Sequence, residues 1–181
     1  MTDEKLNEVL LLFQNGTQAI ILSDNIGADW FRINWIVFTI YPFELGIRFP
    51  SSKLIEDTLT ALHVSPRQLM PSAWRVLACL DAVESKHDLG IGVDVVKCCY
   101  SIKKFNGYRY GLSSKKKDDP LIHNLDVMND RGWKVGFFFV DKDTLSGHTN
   151  YLIDRWNIDG NFYPFETHIF FVFFSVNHLC M

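Results

Sequence analysis

The chain has 181 residues and a mass of 21.0 kDa, which is enough for one domain with its own hydrophobic core or for two very small domains. Hydrophobic residues make up 48% of the chain, aromatic residues 14% and charged residues 22%, a balance that excludes a wholly disordered or fibrous protein. There are fifteen phenylalanines, and any that no sheet or partner covers would form a contact surface or an aggregation hazard.

The net charge of −3 conceals an uneven distribution. Residues 95–117 contain seven basic residues and no acidic residue, which leaves eleven basic residues against 21 acidic residues in the rest of the chain. These seven basic residues are Lys97, Lys103, Lys104, Arg109, Lys115, Lys116 and Lys117. An acidic body with one basic segment does not by itself require a nucleic-acid partner, but the segment could meet phosphates.

The N-terminal third of the chain predicts a helix, a strand and a second helix. Residues 4–13 place apolar side chains at helical spacing and end near Asn15-Gly16. Residues 30–41 are rich in aromatic and β-branched side chains and stop before Pro42, which predicts a strand. Residues 51–62 repeat apolar side chains every three or four positions, which predicts an amphipathic helix.

The middle of the chain predicts a short turn and a longer helix. Ser65, Pro66 and Gln68 match a capping box that opens a single turn. A longer helix begins at Pro71 and is predicted to stop at Gly90. Its predicted buried stripe consists of Ala73, Val76, Leu77, Leu80 and Val83.

The segment that follows predicts a third helix and two strands. Residues 94–105 can form a helix with apolar side chains on one side and lysines on the other, although their β-branched content is unfavourable. Alternating apolar residues at 108–112 and at 133–141 predict two strands, and the polar residues 113–119 predict a loop between them. Together these elements predict an α+β domain in which three central helices pack on a small, mainly antiparallel sheet.

The ends of the chain and its cysteines predict an intracellular protein. Cys79, Cys98, Cys99 and Cys180 match neither a disulfide framework nor a zinc site. The acidic start differs from a signal peptide, and the longest apolar stretches, 33–43 and 169–179, are shorter than the roughly 20 residues that cross a bilayer. We predict no secretion and no membrane partner, with nucleus and cytoplasm both open. Residues 167–181 are almost wholly apolar, as in a buried strand or a wrongly assigned reading-frame end.

The sequence contains no arrangement of residues that predicts catalysis. The nucleophile-elbow, zinc-protease and phosphate-loop motifs are missing, and the six histidines are scattered without a metal-like pair. We therefore predict no catalytic residue, no metal site and no small-molecule cofactor. Converging carboxylates of a metal-dependent nuclease cannot be identified from spacing alone among 21 acidic residues.

The basic segment is the one feature of the sequence whose chemistry suits nucleic-acid binding. Phe105, Tyr108 and Tyr110 lie among the basic residues and could stack on bases while the lysines meet phosphates. The alternative, which is commoner among proteins, is a solvated helix face followed by a lysine-rich hairpin whose tyrosines belong to the core.

Several motifs, in order along the chain, resemble the domain of plant gypsy-type transposon proteins. They are G-I-R-F-P at 46–50, a hydrophobic helix followed by P-x-x-W-R-V-L at 71–77, the aromatic segment 105–110, and N-D-R-G-W-K-V-G-F-F-F-V at 129–140. The resemblance covers residues 41–141. We predict this region as the family domain, with an N-terminal extension at 1–40 that carries a helix and a strand, and a C-terminal extension at 142–181 that is a truncated or wrongly assigned end.

The resemblance implies a retrotransposon-derived protein but no active site. The family-motif residues are Arg48, Phe49, Pro50, Trp74, Arg75, Gly132 and Trp133, and their expected roles are structural: Trp74 in the helix core, Gly132 and Trp133 in a turn into a buried strand, and Arg48 as a surface or interface charge. The first functional hypothesis is a non-catalytic, Gag-like assembly module that self-associates through exposed aromatic residues. The alternatives are a nucleic-acid-binding module that uses residues 97–117, a transposase or nuclease, and a fragment without function.

Overall fold

The computed structural model describes residues 3–11, 13, 17–21, 35–105, 109–123, 125, 133 and 136–141. Within these residues the chain forms five α-helices and two small antiparallel sheets, which confirms the predicted mixed α+β class. The predicted helix end at Asn15-Gly16, the strand residues 30–34, Tyr108, Gly132 and the C-terminal extension at 142–181 lie outside the described residues.

The helices are α1 (Asp3–Leu10), α2 (Tyr41–Glu44), α3 (Lys53–Leu62), α4 (Pro71–His87) and α5 (Val93–Cys99), with a 3-10 turn at Pro66–Gln68. The strands are β1 (Ala19–Ile20), β2 (Trp35–Thr39), β3 (Tyr100–Phe105), β4 (Arg109–Ser114) and β5 (Phe137–Asp141). One sheet has the order β1-β5-β2, and β3 and β4 form a separate two-stranded sheet.

Strand β5 lies at the centre of the three-stranded sheet and joins the two ends of the described chain. It pairs antiparallel with β2, where Phe38 lies opposite Phe138, and with β1, where Ala19 lies opposite Val140. Phe138, Phe139 and Val140 are all fully buried, so both faces of this strand are covered. The sheet therefore brings residues before position 40 into the same core as residues after position 136.

Five phenylalanines form the centre of this core. Their ring centroids lie 4.7–6.1 Å apart, within the range in which aromatic rings attract one another. The rings belong to Phe13, Phe38, Phe43, Phe49 and Phe138. They come from the segment after α1, from β2, from α2, from the loop before α3 and from β5, so this cluster holds together elements that are distant in the sequence.

Local capping fixes the middle of the chain, where the helix predicted over 51–62 begins at Lys53. The Ser52 side chain caps α3 by accepting the N–H of Ile55, and the helix ends at His63 in the left-handed conformation. The capping box is confirmed, because the N–H of Ser65 donates to the Gln68 side-chain oxygen at 3.0 Å. Both of these residues are buried, so the box satisfies polar groups that water does not reach.

Helix α4 begins at Pro71 as predicted but differs at its C-terminal end. Ala73, Trp74, Val76, Leu77 and Leu80 are buried, as the stripe requires. Val83 is 41% exposed, so its predicted burial is wrong: Leu80 is the last buried residue of the helix, and the final turns extend past the core. The helix ends at His87, with Asp88 rather than Gly90 as the left-handed cap (φ 50°).

A single carboxylate organises the link from α4 to α5. The Glu84 oxygens accept the backbone N–H groups of Leu89, Gly90 and Ile91 at 3.1, 3.2 and 2.7 Å. Three successive amides that point at one anion form a backbone nest, and Gly90 supplies the positive φ of 71° that this turn adopts. This turn sets the start of α5 and hence the position of the basic segment.

The predicted helix over residues 94–105 is wrong in its second half. Helix α5 ends at Cys99, and residues 100–105 form strand β3, which pairs with β4 along its whole length. In this ladder the backbone N–H and C=O groups of the segment form hydrogen bonds with β4, and β-branched and aromatic residues favour such a strand. The Tyr100 side chain is buried. Pairing with β4, a tertiary interaction, therefore outweighs the helical spacing of the side chains.

Two other predicted boundaries also shift. Strand β5 begins at Phe137 instead of Trp133. Its partner strand β2 ends at Thr39, which pairs with Phe137, and the chain then enters α2 at Tyr41. Trp133 lies in a turn. The predicted loop over 113–119 begins only after Ser114, because Ser113 and Ser114 continue the β4 ladder opposite Ser101 and Tyr100.

Replacing Phe38 by alanine tests the aromatic cluster. Because Phe38 is fully buried against four other rings, we expect Phe38→Ala to lower the free energy of unfolding by about 3–5 kcal/mol. The matched control is Leu11→Ala, whose side chain is 84% exposed and should change stability by less than about 0.5 kcal/mol. Urea denaturation followed by circular dichroism measures both; equal effects would contradict the central role of the cluster.

Candidate nucleic-acid interface

The seven basic residues of the segment gather around the β3–β4 hairpin in two groups. Lys103, Lys104 and Arg109 lie at the end where Phe105 pairs with Arg109. At the opposite end, where Tyr100 pairs with Ser114, lie Lys97 in the last turn of α5 and, after β4, Lys115, Lys116 and Lys117. Five residue steps separate the two ends, which corresponds to about 17 Å along an extended strand.

The group near α5 contains one lysine with a structural role. The Lys115 ammonium donates to the carbonyl of Lys97 at 2.7 Å, and the Lys115 N–H donates to the carbonyl of Cys99 at 2.9 Å. Carbonyls at a helix C-terminus lack partners within the helix and attract cations. Lys115 therefore anchors the end of α5 to β4, while its neighbours Lys116 and Lys117 are exposed.

The group at the other end places cations and an aromatic ring on one face. Side chains alternate along a strand, and residues directly opposite each other share a face. Since Lys103 pairs with Gly111 and Phe105 pairs with Arg109, these four residues lie on the same side of the hairpin. We call Lys103, Phe105 and Arg109 the Phe105 face. Lys103 is exposed, and Arg109 is partly exposed.

The opposite side of the hairpin faces the core. Tyr100, Tyr110 and Leu112 are buried there, and the carbonyl of Tyr110 accepts the N–H of Met70 just before α4. Tyr110 is fully buried and therefore belongs to the core, as the second of the two interpretations predicts, so bases cannot stack on it. Phe105, by contrast, is 46% exposed and remains able to stack.

Trp133 joins this region from a distant part of the sequence. The Arg109 guanidinium lies 5.7 Å from the centroid of the Trp133 ring, within the range of a cation–π contact. Trp133 is partly exposed rather than part of a buried strand, so it forms the border of the Phe105 face. The sequence carries no local signal for this contact, because 24 residues separate the two partners.

Three of the other residues in the motifs discussed above lie in the core or tie helices together. Trp74 is fully buried, and Phe49 belongs to the aromatic cluster. The Arg75 side chain donates to the Tyr41 hydroxyl at 2.7 Å and lies 5.8 Å from the centroid of the same ring, which ties α4 to α2. Arg48 and Pro50 are exposed.

Tyr100 and Cys99 connect the basic hairpin to α5. Burial, followed by the neighbouring thiols Cys99 and Cys79, raises the pKa of Tyr100 to about 12, against a smaller opposing effect of the Ile122 backbone. Burial and the adjacent Cys98 also raise the pKa of the Cys99 thiol. The neutral forms of both groups are therefore favoured at the point where the helix meets the strand.

The described residues contain no group of three or more histidine, cysteine, aspartate or glutamate side chains that could hold a metal ion. In the same part of the chain, no helix has both the length and the apolar character needed to span a membrane. Comparisons of the chain with protein-family models, with curated proteins and with solved structures find no match. The functional argument therefore depends on the physical features of the hairpin.

The raised pKa of Tyr100 predicts a loss of stability at high pH. Below pH 10 both folded and unfolded chains keep the phenolic proton; between pH 10 and about 12 only the unfolded chain ionises, so the folded state is disfavoured. We expect Tyr100→Phe to remove up to about 2 kcal/mol of this loss. The measurement is urea denaturation at pH 8.0 and 11.5. An equal alkaline loss in both proteins would contradict the assignment.

Proposed function

We propose that this protein is a non-catalytic nucleic-acid-binding module encoded by a retrotransposon-derived gene. The observation that carries the proposal is the arrangement of basic residues at both ends of one hairpin, with an exposed aromatic ring among them. The motif resemblance to plant gypsy-type transposon proteins supports the genetic origin. Such a role would place the protein inside the cell, in the nucleus or the cytoplasm.

The charge distribution supports binding to a polyanion. Seven positive charges fall within residues 95–117, while the rest of the chain carries ten more acidic than basic residues. An acidic body repels a polyanion, so phosphates would approach through the hairpin in one orientation. A solvated lysine face with no function would not need this separation of charge.

The spacing of the two basic groups also suits a phosphate backbone. The hairpin is about 17 Å long, which equals the rise of about five nucleotides in one strand of a B-form helix, and the two basic groups lie towards its two ends. A strand lying along the hairpin would therefore contact cations at both ends. Lys103 and Lys117, which are exposed and belong to opposite groups, are the best residues for testing this.

The Gag-like assembly hypothesis has less support from the described residues. It requires an exposed aromatic surface, but Phe13, Phe38, Phe43, Phe49, Phe138 and Phe139 are all buried. Phe105 is the only phenylalanine among the described residues with a largely exposed side chain. Self-association stays a prediction, and analytical ultracentrifugation of the nucleic-acid-free protein would reveal it.

Charge reversal at both ends of the hairpin tests the proposed function. We expect Lys103→Glu/Lys117→Glu to weaken binding of a fluorescent single-stranded oligonucleotide about ten-fold at 0.1 M salt. The slope of log affinity against log salt should flatten by about 1.4, because two phosphate contacts are lost. Fluorescence anisotropy across a salt series measures both quantities.

The control for this experiment changes the same net charge elsewhere. Lys53→Glu/Lys86→Glu alters two exposed lysines on α3 and α4, away from the basic segment. We expect its affinity to lie within about two-fold of the wild type, since neither lysine belongs to the hairpin. Loss of the exposed ion pair between Lys53 and Asp57 should change stability by less than about 1 kcal/mol. Equal losses in the two double variants, or no salt-dependent binding by the wild type, would contradict the proposal.

A further inference from the structure

We infer that Phe105 is a base-stacking residue and that the preferred ligand is single-stranded nucleic acid. This inference rests on the proposed function and names its ligand class. Nucleic-acid proteins that bind single strands combine a cationic track with exposed aromatic rings, on which unpaired bases stack. Phe105 combines exposure with cationic neighbours on the same face of the hairpin.

The bare backbone of Gly111 supports one part of the Phe105 ring. A Cβ atom added at Gly111 would lie 3.1 Å from the Phe105 Cε2 atom, which is closer than ordinary van der Waals contact. The edge of the Phe105 ring therefore occupies the space that a side chain at position 111 would fill. The same position lies 3.3 Å from the Ser72 hydroxyl oxygen and 3.8 Å from the Met70 sulfur. Because a ring held in this way loses little conformational entropy on binding, it is a good platform for a base.

The cations on the same face lie where phosphates on either side of a stacked base would pass. Lys103 is two residues before Phe105 on the same face, about 7 Å along the strand. Arg109 is directly opposite Phe105, and its contact with Trp133 restricts the guanidinium. Stacking on Phe105 requires an unstacked base, which a duplex does not offer.

The experiment compares three Phe105 variants on two matched probes. The probes are a twelve-nucleotide oligothymidylate and an abasic oligonucleotide of the same length, which keeps the phosphates but lacks bases. A twelve-nucleotide oligouridylate serves as a separate arm that distinguishes RNA from DNA. Phe105→Ala removes the ring, Phe105→Leu keeps an apolar side chain over Gly111, and Phe105→Tyr keeps the aromatic face.

We expect Phe105→Ala and Phe105→Leu to weaken oligothymidylate binding at least five-fold and to leave abasic binding within two-fold of the wild type, because only base stacking is lost. Phe105→Tyr should bind both probes like the wild type. Denaturation midpoints measured in parallel check folding, and Phe105→Leu decides the result if the alanine variant is unstable. Equal loss on both probes, or no loss on oligothymidylate, would overturn the stacking role.

The outcomes separate this inference from the proposed function. If Lys103→Glu/Lys117→Glu weakens binding but the Phe105 variants do not, the module binds phosphates without stacking, and only the inference fails. A twelve-base-pair DNA duplex is measured beside the single-stranded probes, and if the wild-type protein binds it at least as tightly as oligothymidylate, the ligand class is wrong. If it binds neither probe, both proposals fail, and a protein partner for the Phe105 face becomes the explanation to pursue.

Discussion

The packing of five phenylalanine rings is the interaction on which the rest of the structure depends. Phe13, Phe38, Phe43, Phe49 and Phe138 come from five different segments, and their rings meet at centroid distances of 4.7–6.1 Å. Bringing these segments together costs chain entropy that only a large buried apolar area can offset. Six of the eight phenylalanines among the described residues are buried, so an exposed ring such as Phe105 is informative because it departs from that pattern.

The basic hairpin takes its position from this interior. The buried side of β4 lies beside the segment that leads into α4, through the Met70–Tyr110 hydrogen bond of 2.8 Å and the bridge between Leu69 and Tyr110. Helix α4 is tied in turn to α2 through Arg75 and Tyr41, next to the aromatic cluster. The core thus covers one side of the hairpin. On the other side Met70 and Ser72 lie against Gly111, while Lys103 and Phe105 are exposed and Arg109 is partly exposed.

The sequence predicted those elements that are fixed by interactions between residues close together in the chain. The capping box at Ser65 and Gln68, the start of α4 at Pro71 and the helix at 53–62 follow from side chains within a few residues of each other. The change from α5 to β3 at Tyr100 could not be predicted in this way, because the apolar spacing of residues 94–105 fits a helix and only pairing with β4 favours the strand. Val83 was mispredicted for a related reason: its spacing is helical, but the core ends at Leu80.

In the candidate site, too, the sequence predicted the local features but not those that depend on tertiary contacts. Sequence alone located the basic residues and the aromatic residues among them, since charge is a property of the segment. It could not distinguish Phe105 from Tyr110, because exposure depends on which side of the hairpin faces the core, nor could it find the distant contact of Arg109 with Trp133. The strand geometry explains why a basic segment there suits a linear ligand. A helix over the same residues would have spread its lysines around an axis, whereas the hairpin places them in two groups towards its opposite ends.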